Sequence, residues 1–366
     1  MHPGAACWSV HGLERGDMRR LCPLWSPECG MTGDRVLLAH GGGGLLTARL
    51  IEEVILPVMD DPVLLQLDDA AVVDVDACRL AFTTDGYVVS PLFFPGGDIG
   101  KLAVCGTVND LAVKGAEPLW MSLGMVLEEG LPMSELRTVI GSVGTWARMA
   151  GIRVVAGDTK VVEKGKCDGV YLTTAAVGRV VLSDPLGPEL IRPGDAVLVN
   201  GFLGDHGMAI MAGRSGLSFG SGLESDCAPL WDLVRTILDR GCRVHAMRDL
   251  TRGGLAGALC DLARTSGTTI FIEEADLPLR PMVKGACDLL GLDPLGVANE
   301  GKLVLFCPRE EAQSILAAMR GHEHGLSAAI IGEVGSEAPG LAVLRTHFGG
   351  ERVIDMPVGE DLPRIC

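Results

Sequence analysis

The sequence predicts an α/β protein with mixed sheets, organised as two domains and a C-terminal tail. Short segments in which apolar residues alternate are followed by longer segments in which they recur every three to four residues, a pattern typical of strands alternating with helices. The 366 residues suggest about two domains at roughly 150 residues each. A segment rich in proline and glycine, at residues 184–194, interrupts the pattern and separates two units.

The first unit is predicted to contain strands and helices in alternation. Its clearest element is a helix at residues 98–115, because apolar side chains recur on one face from Ile99 through Cys105 to Leu111. The strands are predicted at residues 34–40, 70–75, 80–84, 121–127, 152–156 and 170–181, and the other helices at 45–59 and 133–150.

The second unit repeats the alternation with more helices. Its predicted strands lie at residues 196–200, 269–273, 303–307, 328–334 and 341–345, and its predicted helices near 206–212, 228–240, 254–265, 281–290 and 310–320. After Pro357 nothing periodic remains, which indicates a mobile tail. Residues 1–32 show no period and stay unassigned, with Met18 and Met31 as alternative starts. The domain boundaries are therefore predicted at 33–185 and 186–356, with the tail at 357–366.

Composition excludes several classes of function. The net charge is −16, so the chain lacks the excess of Lys and Arg with which proteins bind nucleic acid or anionic membranes. No apolar run approaches the roughly 18 residues that span a bilayer, and no signal peptide is recognisable. The 12 cysteines are scattered without a C-x-x-C pair, which favours reduced thiols and a cytoplasmic protein.

Nucleotide-binding motifs of the common kinds are absent from the sequence. There is no P-loop and no dinucleotide-binding glycine motif, so a phosphate ligand needs another site. One candidate is the run of four glycines that precedes a predicted helix, because bare backbone N–H groups at a helix start attract anions. A flexible turn is the simpler interpretation. The run comprises Gly41, Gly42, Gly43 and Gly44.

Carboxylates recur where predicted strands or helices end. Any one of them commonly caps a helix or a turn. Several together, flanked by Gly, Thr or Asn, favour a Mg²⁺ site that holds a polyphosphate such as ATP, because Mg²⁺ prefers oxygen ligands. Asp110 is informative because it follows the apolar face of its helix, where a charge without a partner is costly. The carboxylates are Asp68, Asp69, Asp85, Asp110, Asp158 and Asp249.

The chain ends in a cysteine. Cys366 does not match a prenylation site, which places the cysteine four residues from the end. A thiol at the end of an extended ten-residue tail could reach groups up to roughly 30 Å from the base of the tail. Chance occurrence is the alternative for a single terminal cysteine.

Several of these segments resemble the hydrogenase-maturation carbamoyl dehydratases, the HypE family. The longest match is residues 83–112, which read TTDGYVVSPLFFPGGDIGKLAVCGTVNDLA, and the most specific is the PRIC ending. The resemblance covers residues 34–366, and only the first 30 or so residues depart from it. The remaining matching segments are HGGGG at 40–44, GDTKVV at 157–162, RDLTRGG at 248–254 and NEGK at 299–302.

The resemblance implies a fold and a set of site residues. The fold is that of aminoimidazole ribonucleotide synthetase and selenophosphate synthetase, with an N-terminal domain that forms a homodimer through its sheet and binds ATP nearby. The implied Mg²⁺ ligands or their neighbours are Asp69, Asp85, Asp110 and Asp249, with Asp68 as the alternative to the first. The glycine run and Asp158 would bind the nucleotide, and Lys160 and Glu300 would lie next to the modified thiol.

The resemblance also implies a reaction and partners. In the family, the carbamoyltransferase HypF places a carbamoyl group on the terminal thiol, here Cys366. ATP and Mg²⁺ then convert the thiocarbamate to a thiocyanate, and the cyanide passes to iron on a scaffold of HypC and HypD for a nickel–iron hydrogenase. Glu300 would remove protons while Lys160 stabilises charge, although the reverse assignment is possible.

Two other functions compete with this interpretation. A selenophosphate synthetase would share the carboxylates, but it needs a reactive cysteine or selenocysteine in the N-terminal loop, where this chain has HGGGG. A noncatalytic thiol carrier would account for Cys366 but not for the carboxylates. ATP hydrolysis that depends on a carbamoylated Cys366 separates an enzyme from a carrier.

Overall fold

The computed structural model describes residues 36–366, except positions 43, 60, 77, 185, 216–221, 359–361 and 363. The unassigned segment 1–32 and Gly43 therefore lie outside the described residues. None of the helices within the described ranges is long and apolar enough to cross a membrane.

The N-terminal half forms a mixed sheet covered on one face by helices. The elements are α1 (Leu45–Leu50, continued by a π-helical turn at Ile51–Ile55), β1 (Ala71–Val75), β2 (Cys78–Tyr87), β3 (Phe93–Phe94), β4 (Gly97–Asp98), α2 (Ile99–Val113), β5 (Ala116–Glu128), α3 (Met133–Met149), β6 (Arg153–Val162) and β7 (Val170–Val180). The five main strands follow the order β1-β2-β7-β5-β6, so β1 and β6 are the edges, while β3 and β4 form a separate two-stranded hairpin.

Helix α2 is the central element of this half. Asp98 caps its first turn by accepting hydrogen bonds from the backbone N–H groups of Gly100 at 2.7 Å and Lys101 at 3.1 Å. Almost every residue of the helix is buried, including Leu102, Val108 and Leu111. Because the helix is buried on all sides, the polar residues near its end need hydrogen-bond or charge partners from other elements.

The C-terminal half forms a seven-stranded sheet with helices packed against it. The elements are β8 (Asp195–Val199), α4 (Asp205–Ser215), α5 (Trp231–Leu238), β9 (Ala246–Asp249), α6 (Gly254–Ser266), β10 (Thr269–Glu273), α7 (Pro281–Leu290), β11 (Leu303–Pro308), α8 (Ala312–Arg320), β12 (Ala329–Gly335), β13 (Ala342–Arg345) and β14 (Glu351–Val353). The strand order is β14-β13-β10-β12-β8-β11-β9.

The antiparallel pairing of β9 with β11 matters for the site. The register sets Asp249, the last residue of β9, opposite Leu303 at the start of β11. Glu300 lies three residues before that start. The sheet therefore brings Asp249 and the segment that carries Glu300 to the same end of these two strands.

The structure differs from the sequence-based predictions at several elements, among them residues 38–41, β6 and β9. The strand predicted at 34–40 is wrong in its described part, where Leu38–Gly41 form a 3-10 helix, because neither edge strand of the sheet pairs with this segment. Strand β6 is longer than predicted, since its parallel pairing with β5 continues to Val162. Strand β9 was not predicted, because four residues are too few to reveal an alternation.

Candidate functional site

Four carboxylates from separate elements meet where the two halves of the fold adjoin. Asp69 precedes β1, Asp85 lies within β2, Asp110 lies near the end of α2, and Asp249 ends β9. The hydroxyl oxygen of Thr83 lies 2.6 Å from Oδ2 of Asp110 and 3.2 Å from the carbonyl oxygen of Asp69, and so joins two of them. We call Asp69, Asp85, Asp110 and Asp249 the carboxylate set.

Asp85 is oriented by a tyrosine on its own strand. The hydroxyl of Tyr87 donates a hydrogen bond to Oδ2 of Asp85 at 3.0 Å and lies 3.1 Å from the hydroxyl of Thr107 on α2. A glycine makes this approach possible, because a Cβ atom on Gly106 would lie 2.5 Å from the tyrosine hydroxyl. The sequence GTVND thus fits α2 against the strand that carries Asp85.

Burial and the other carboxylates of the set raise the pKa of Asp110 and of Asp249. Burial is the largest cause for Asp110, followed by the charges of Asp85, Asp249 and Asp69, and together they raise its pKa well above the usual value. The pKa of Asp249 is likewise raised well above its usual value, by burial first and then by Asp69 and Asp85. Such a set is electrostatically unfavourable by itself and becomes favourable beside a cation.

The neighbouring aspartates Asp68 and Asp69 have different partners. Asp68 forms an ion pair with the buried Lys114, whose ammonium group also donates to the carbonyl oxygen of Leu186 at 2.9 Å. Asp69 pairs through Oδ1 with Arg248 at 3.1 Å. Burial raises the pKa of Asp69 to about 6 even though Arg248 opposes the shift. Asp69, rather than Asp68, therefore faces the rest of the set.

The donor chemistry of the set fits a divalent cation. Oδ2 of Asp69 and Oδ2 of Asp249 are buried and have no hydrogen-bond partner in the described part of the chain. Carboxylate oxygens are the ligands that Mg²⁺ prefers, and Mg²⁺ commonly keeps several waters between itself and the protein. Among the described residues no three acidic, histidine or cysteine side chains stand close enough to hold a bare metal ion directly. The arrangement therefore fits a hydrated ion or one completed by phosphate oxygens.

Glu300 is buried beside this set, with only 2% of its surface exposed. Its backbone is fixed on both sides, because its N–H donates to Oδ1 of Asp226 at 3.0 Å and its carbonyl oxygen accepts from the side chain of Asn109 at 3.1 Å. Its Oε1 has no partner among the described residues. Burial, then Cys227 and Asp249, raise the pKa of Glu300 well above its usual value, which suits a group that takes up protons.

Asp226 and Asn109 were not singled out from the sequence. Burial acts to raise the pKa of Asp226, but Lys302 at 3.0 Å and other donors outweigh it and lower the pKa. Asn109 precedes Asp110 on α2, and its side chain also accepts from the N–H of Leu230 at 2.8 Å. Its position beside Asp110 in a helix buried on all sides was the available signal.

The C-terminal residue lies inside the fold. Only 8% of Cys366 is exposed, and an oxygen of its terminal carboxylate accepts a hydrogen bond from the N–H of Val88 at 3.1 Å. The N–H of Ser90 donates to the carbonyl oxygen of Arg364, also at 3.1 Å. The end of the chain therefore runs alongside residues 88–90, directly after the Tyr87 that binds Asp85.

Two predicted site residues lie on the exposed edge strand β6. Asp158 and Lys160 form an ion pair with each other at 2.6 Å, and their side chains are 69% and 67% exposed. Asp158 also accepts a hydrogen bond from the N–H of Thr159 at 2.9 Å. Asp158 was expected near a nucleotide at a strand end, and Lys160 next to the modified thiol. Both lie within β6, and the contacts shown for Asp158 stay on that strand.

The helix start that follows the predicted anion loop contacts the base of the tail. At the start of α1, the N–H groups of Leu45 and Leu46 donate to the carbonyl oxygens of Pro357 at 2.8 Å and Val358 at 3.4 Å. On the other side, Arg252 donates to the carbonyl oxygen of Gly41 at 2.9 Å. Two N–H groups at this helix start therefore already donate to backbone carbonyl oxygens of the same chain. Gly43 lies outside the described residues.

Comparison with known proteins places the chain in a family. Residues 67–180 match the N-terminal domain of AIR synthase related proteins, and residues 192–343 match their C-terminal domain. The carbamoyl dehydratase HypE of Rhodobacter capsulatus is 52% identical over 91% of this chain and 98% of its own length. The corresponding protein of Escherichia coli is 45% identical over 91% of this chain and its full length.

Solved structures agree with the sequence relatives. A crystal structure of the hydrogenase maturation protein HypE in complex with ATP has a TM-score of 0.77 and 44% identity, and the match covers 91% of this chain and 100% of that one. A crystal structure of a HypE–HypF complex has a TM-score of 0.80 and 42% identity over 84% of this chain and 99% of that one. The chain therefore belongs to the HypE family of carbamoyl dehydratases, enzymes of hydrogenase maturation built on the two AIR-synthase-related domains.

Proposed function

We propose that this protein dehydrates a carbamoyl group carried on the thiol of Cys366 to a thiocyanate, as a source of cyanide ligands for a nickel–iron hydrogenase. The thiocarbamate and ATP give the thiocyanate, ADP and phosphate. The carbamoyl oxygen leaves in the phosphate, the two nitrogen protons pass to bases, and a carbon–nitrogen triple bond forms. No oxidant or reductant is needed.

The observation that carries the proposal is the position of Cys366. The end of the chain pairs with residues 88–90, and the adjoining Tyr87 binds Asp85 of the carboxylate set. A thiol held there can present its substituent to a nucleotide bound at the set. A relative at 44% identity was crystallised in complex with ATP, which supports the nucleotide.

The carboxylate set is proposed to hold Mg²⁺ with ATP. When bound, Mg²⁺-ATP supplies a phosphoryl group that turns the carbamoyl oxygen into a good leaving group. The N-terminal domain, residues 33–185, would provide Asp69, Asp85 and Asp110, and the C-terminal domain, residues 186–356, would provide Asp249. The described glycines and Asp158 stay as proposed nucleotide contacts.

Glu300 is proposed to take up the nitrogen protons. Its carboxyl group is buried and its backbone is held by Asp226 and Asn109. Burial raises its pKa, which favours the protonated form and so helps it to hold a proton that it takes up. Burial also keeps water from the reacting group, since water would hydrolyse a phosphorylated intermediate. Lys160 is proposed to stabilise charge, from its exposed place on the edge strand β6.

A homodimer is proposed through the outer face of the N-terminal sheet. The strand register aligns Phe82, Val177 and Trp120 in a row across β2, β7 and β5. Phe82 and Trp120 are 47% and 45% exposed. Large exposed apolar faces of this kind mark interfaces, and a second copy would cover this one and bring its own edge strand close.

The proposed partners follow from the route of the carbamoyl group. HypF would load the thiol, in keeping with the solved complex of a relative with HypF, and the scaffold of HypC and HypD would receive the cyanide. Since Cys366 is buried, the tail must leave its position beside residues 88–90 both to receive the carbamoyl group and to deliver the cyanide. Mobility of the tail therefore stays part of the proposal.

ATP hydrolysis tests the proposal against the carrier alternative. Protein carbamoylated on Cys366 should hydrolyse one ATP for each thiocyanate formed, whereas the matched Cys366→Ser variant, treated in the same way, should hydrolyse none above background. A noncatalytic carrier would show no difference between the two proteins. Equal ATP hydrolysis in both would overturn the coupling of ATP to the thiol.

A further inference from the structure

A buried histidine holds the end of the tail. Nε2 of His206 lies 2.7 Å from the carbonyl oxygen of Ile365, and Nδ1 lies 2.8 Å from the hydroxyl oxygen of Ser225. His206 is completely buried, and Phe94 packs edge-on against its ring, with ring centroids 5.6 Å apart. The imidazole therefore has a fixed position between the tail and the segment around Ser225.

The hydrogen bonds around Ser225 define the tautomer of His206. The N–H of Cys227 donates to the hydroxyl oxygen of Ser225 at 3.1 Å, so that the hydroxyl proton is available for Nδ1 of His206. Nε2 then carries the ring proton and donates it to the carbonyl oxygen of Ile365. Burial lowers the pKa of His206, which keeps the ring neutral in this arrangement.

An arginine holds the preceding carbonyl group of the tail. Nη2 of Arg214 donates to the carbonyl oxygen of Arg364, and Nε of Arg214 donates to the carbonyl oxygen of Ser90 at 2.5 Å. His206 and Arg214 both belong to α4. One helix therefore binds two successive carbonyl groups of the tail, and it does so through the backbone, whatever the side chains are.

The same segment that orients His206 also holds Glu300. Ser225 binds the histidine, and the next residue, Asp226, accepts the hydrogen bond from the N–H of Glu300 at 3.0 Å. The carbonyl oxygen of Glu300 is 3.4 Å from the N–H of Ala228. Residues 225–228 therefore contact both the group that binds the tail and the proposed proton acceptor.

We propose that His206 is a positioning residue that, with Arg214, holds the C-terminal tail by its backbone and so places the substituent on Cys366 against Glu300. The role in turnover rests on the proposed function. We call the tail docked while it lies inside the fold beside residues 88–90. The hydrogen bond from His206 to Ile365 exists only in this docked state, so its loss shifts the tail toward the undocked state. The contacts shown for His206 do not include the carboxylate set.

Two substitutions separate the contact with the tail from the contact with Ser225. In His206→Asn the amide oxygen can take the place of Nδ1 and still accept from Ser225, but the side chain is too short to reach Ile365. In His206→Gln the amide nitrogen can take the place of Nε2 and still donate to Ile365. The Gln variant is therefore the matched control for the Asn variant.

Accessibility of the Cys366 thiol measures docking without any substrate. The native proteins are alkylated with iodoacetamide, and the C-terminal peptide is quantified by mass spectrometry, with the exposed Cys78 as internal reference. Loss of one neutral hydrogen bond should raise the alkylation rate of Cys366 in His206→Asn by about fivefold, while His206→Gln stays close to the unsubstituted protein. Equal rates in all three proteins would overturn the proposal, and so would equally fast alkylation in both variants.

Turnover of the carbamoylated proteins tests the consequence for the reaction. His206→Asn should lower kcat for ATP hydrolysis by about fivefold with an unchanged KM for ATP, and His206→Gln should restore most of it. An increase in KM with unchanged kcat would contradict a positioning role. If the unsubstituted carbamoylated protein hydrolyses no ATP, the proposed function fails, whereas the alkylation result still decides on the contact with the tail.

Discussion

Replacing one member of the carboxylate set should stabilise the metal-free protein. Asp110→Asn keeps the size of the side chain and an oxygen for the hydroxyl of Thr83, and it removes one of the buried charges. The cost of such a charge follows from Asp69, whose pKa is raised from 3.8 to about 6. A shift of about two pH units corresponds to about 3 kcal/mol in the free energy of unfolding.

The pKa of Asp110 is raised well above its usual value by three carboxylates as well as by burial. After allowing about 1 kcal/mol for a weaker hydrogen bond from Thr83, Asp110→Asn should gain at least about 2 kcal/mol at pH 8. For a chain of this size that is a rise in Tm of about 3 °C. A carboxyl group with a raised pKa binds its proton more tightly in the folded state, so folding stability falls as pH rises from about 4 to the folded pKa. The advantage of the variant should therefore shrink toward pH 4.

Thermal unfolding in EDTA, at pH 8 and at pH 4.5, measures both expectations, and a third arm contains Mg²⁺ and ATP. Bound ligand should stabilise the unsubstituted protein and leave Asp110→Asn almost unchanged, so that the order of the two Tm values reverses. If Asp110→Asn has a lower Tm than the unsubstituted protein in EDTA at pH 8, Asp110 is stabilised by partners within the chain, and the argument for a cation at this set is wrong.

Further substitutions test the other parts of the account. Asp85→Asn should weaken Mg²⁺-dependent ATP binding by calorimetry at least tenfold, and unchanged affinity would remove Asp85 from the metal site. Trp120→Glu should convert a dimer to a monomer in light scattering, and a protein that is already monomeric at micromolar concentration would refute the interface. Lys114→Met should lower the free energy of unfolding by about 2 kcal/mol, because it leaves the partly buried Asp68 without its partner, whereas the exposed Arg235→Met should cost less than about 1 kcal/mol. Equal losses in urea unfolding would contradict the burial argument.

The sequence predicted the long, regular elements and the residue types of the site. Helix α2 was predicted nearly to its ends, because its apolar residues recur along a long segment and Asp98 caps its start. The predicted Mg²⁺ carboxylates Asp69, Asp85, Asp110 and Asp249 lie near one another, and Asp68 is instead paired with Lys114. Their roles as ligands stay a prediction.

Other features depend on contacts between distant parts of the chain. The long extent of β6, and with it the exposed position of Asp158 and Lys160, follows from pairing with β5, which a local pattern does not reveal. His206 is one of 8 histidines, and nothing in its neighbours along the chain indicates a contact with Ile365, which lies 159 residues later. The docked tail likewise has no period to predict it, because its hydrogen bonds go to residues 88–90 and to α4.

The mass of the C-terminal peptide tests the central claim most directly. The protein is incubated with HypF, carbamoyl phosphate and ATP, digested, and the peptide that ends in Cys366 is measured with and without Mg²⁺. With Mg²⁺ the peptide should first gain a carbamoyl group and then lose the mass of one water, and without it the modification should stop at the carbamoyl stage. A protein shortened by Cys366 that still acquires the thiocyanate mass on another cysteine, at a normal rate, would contradict the terminal thiol as the carrier.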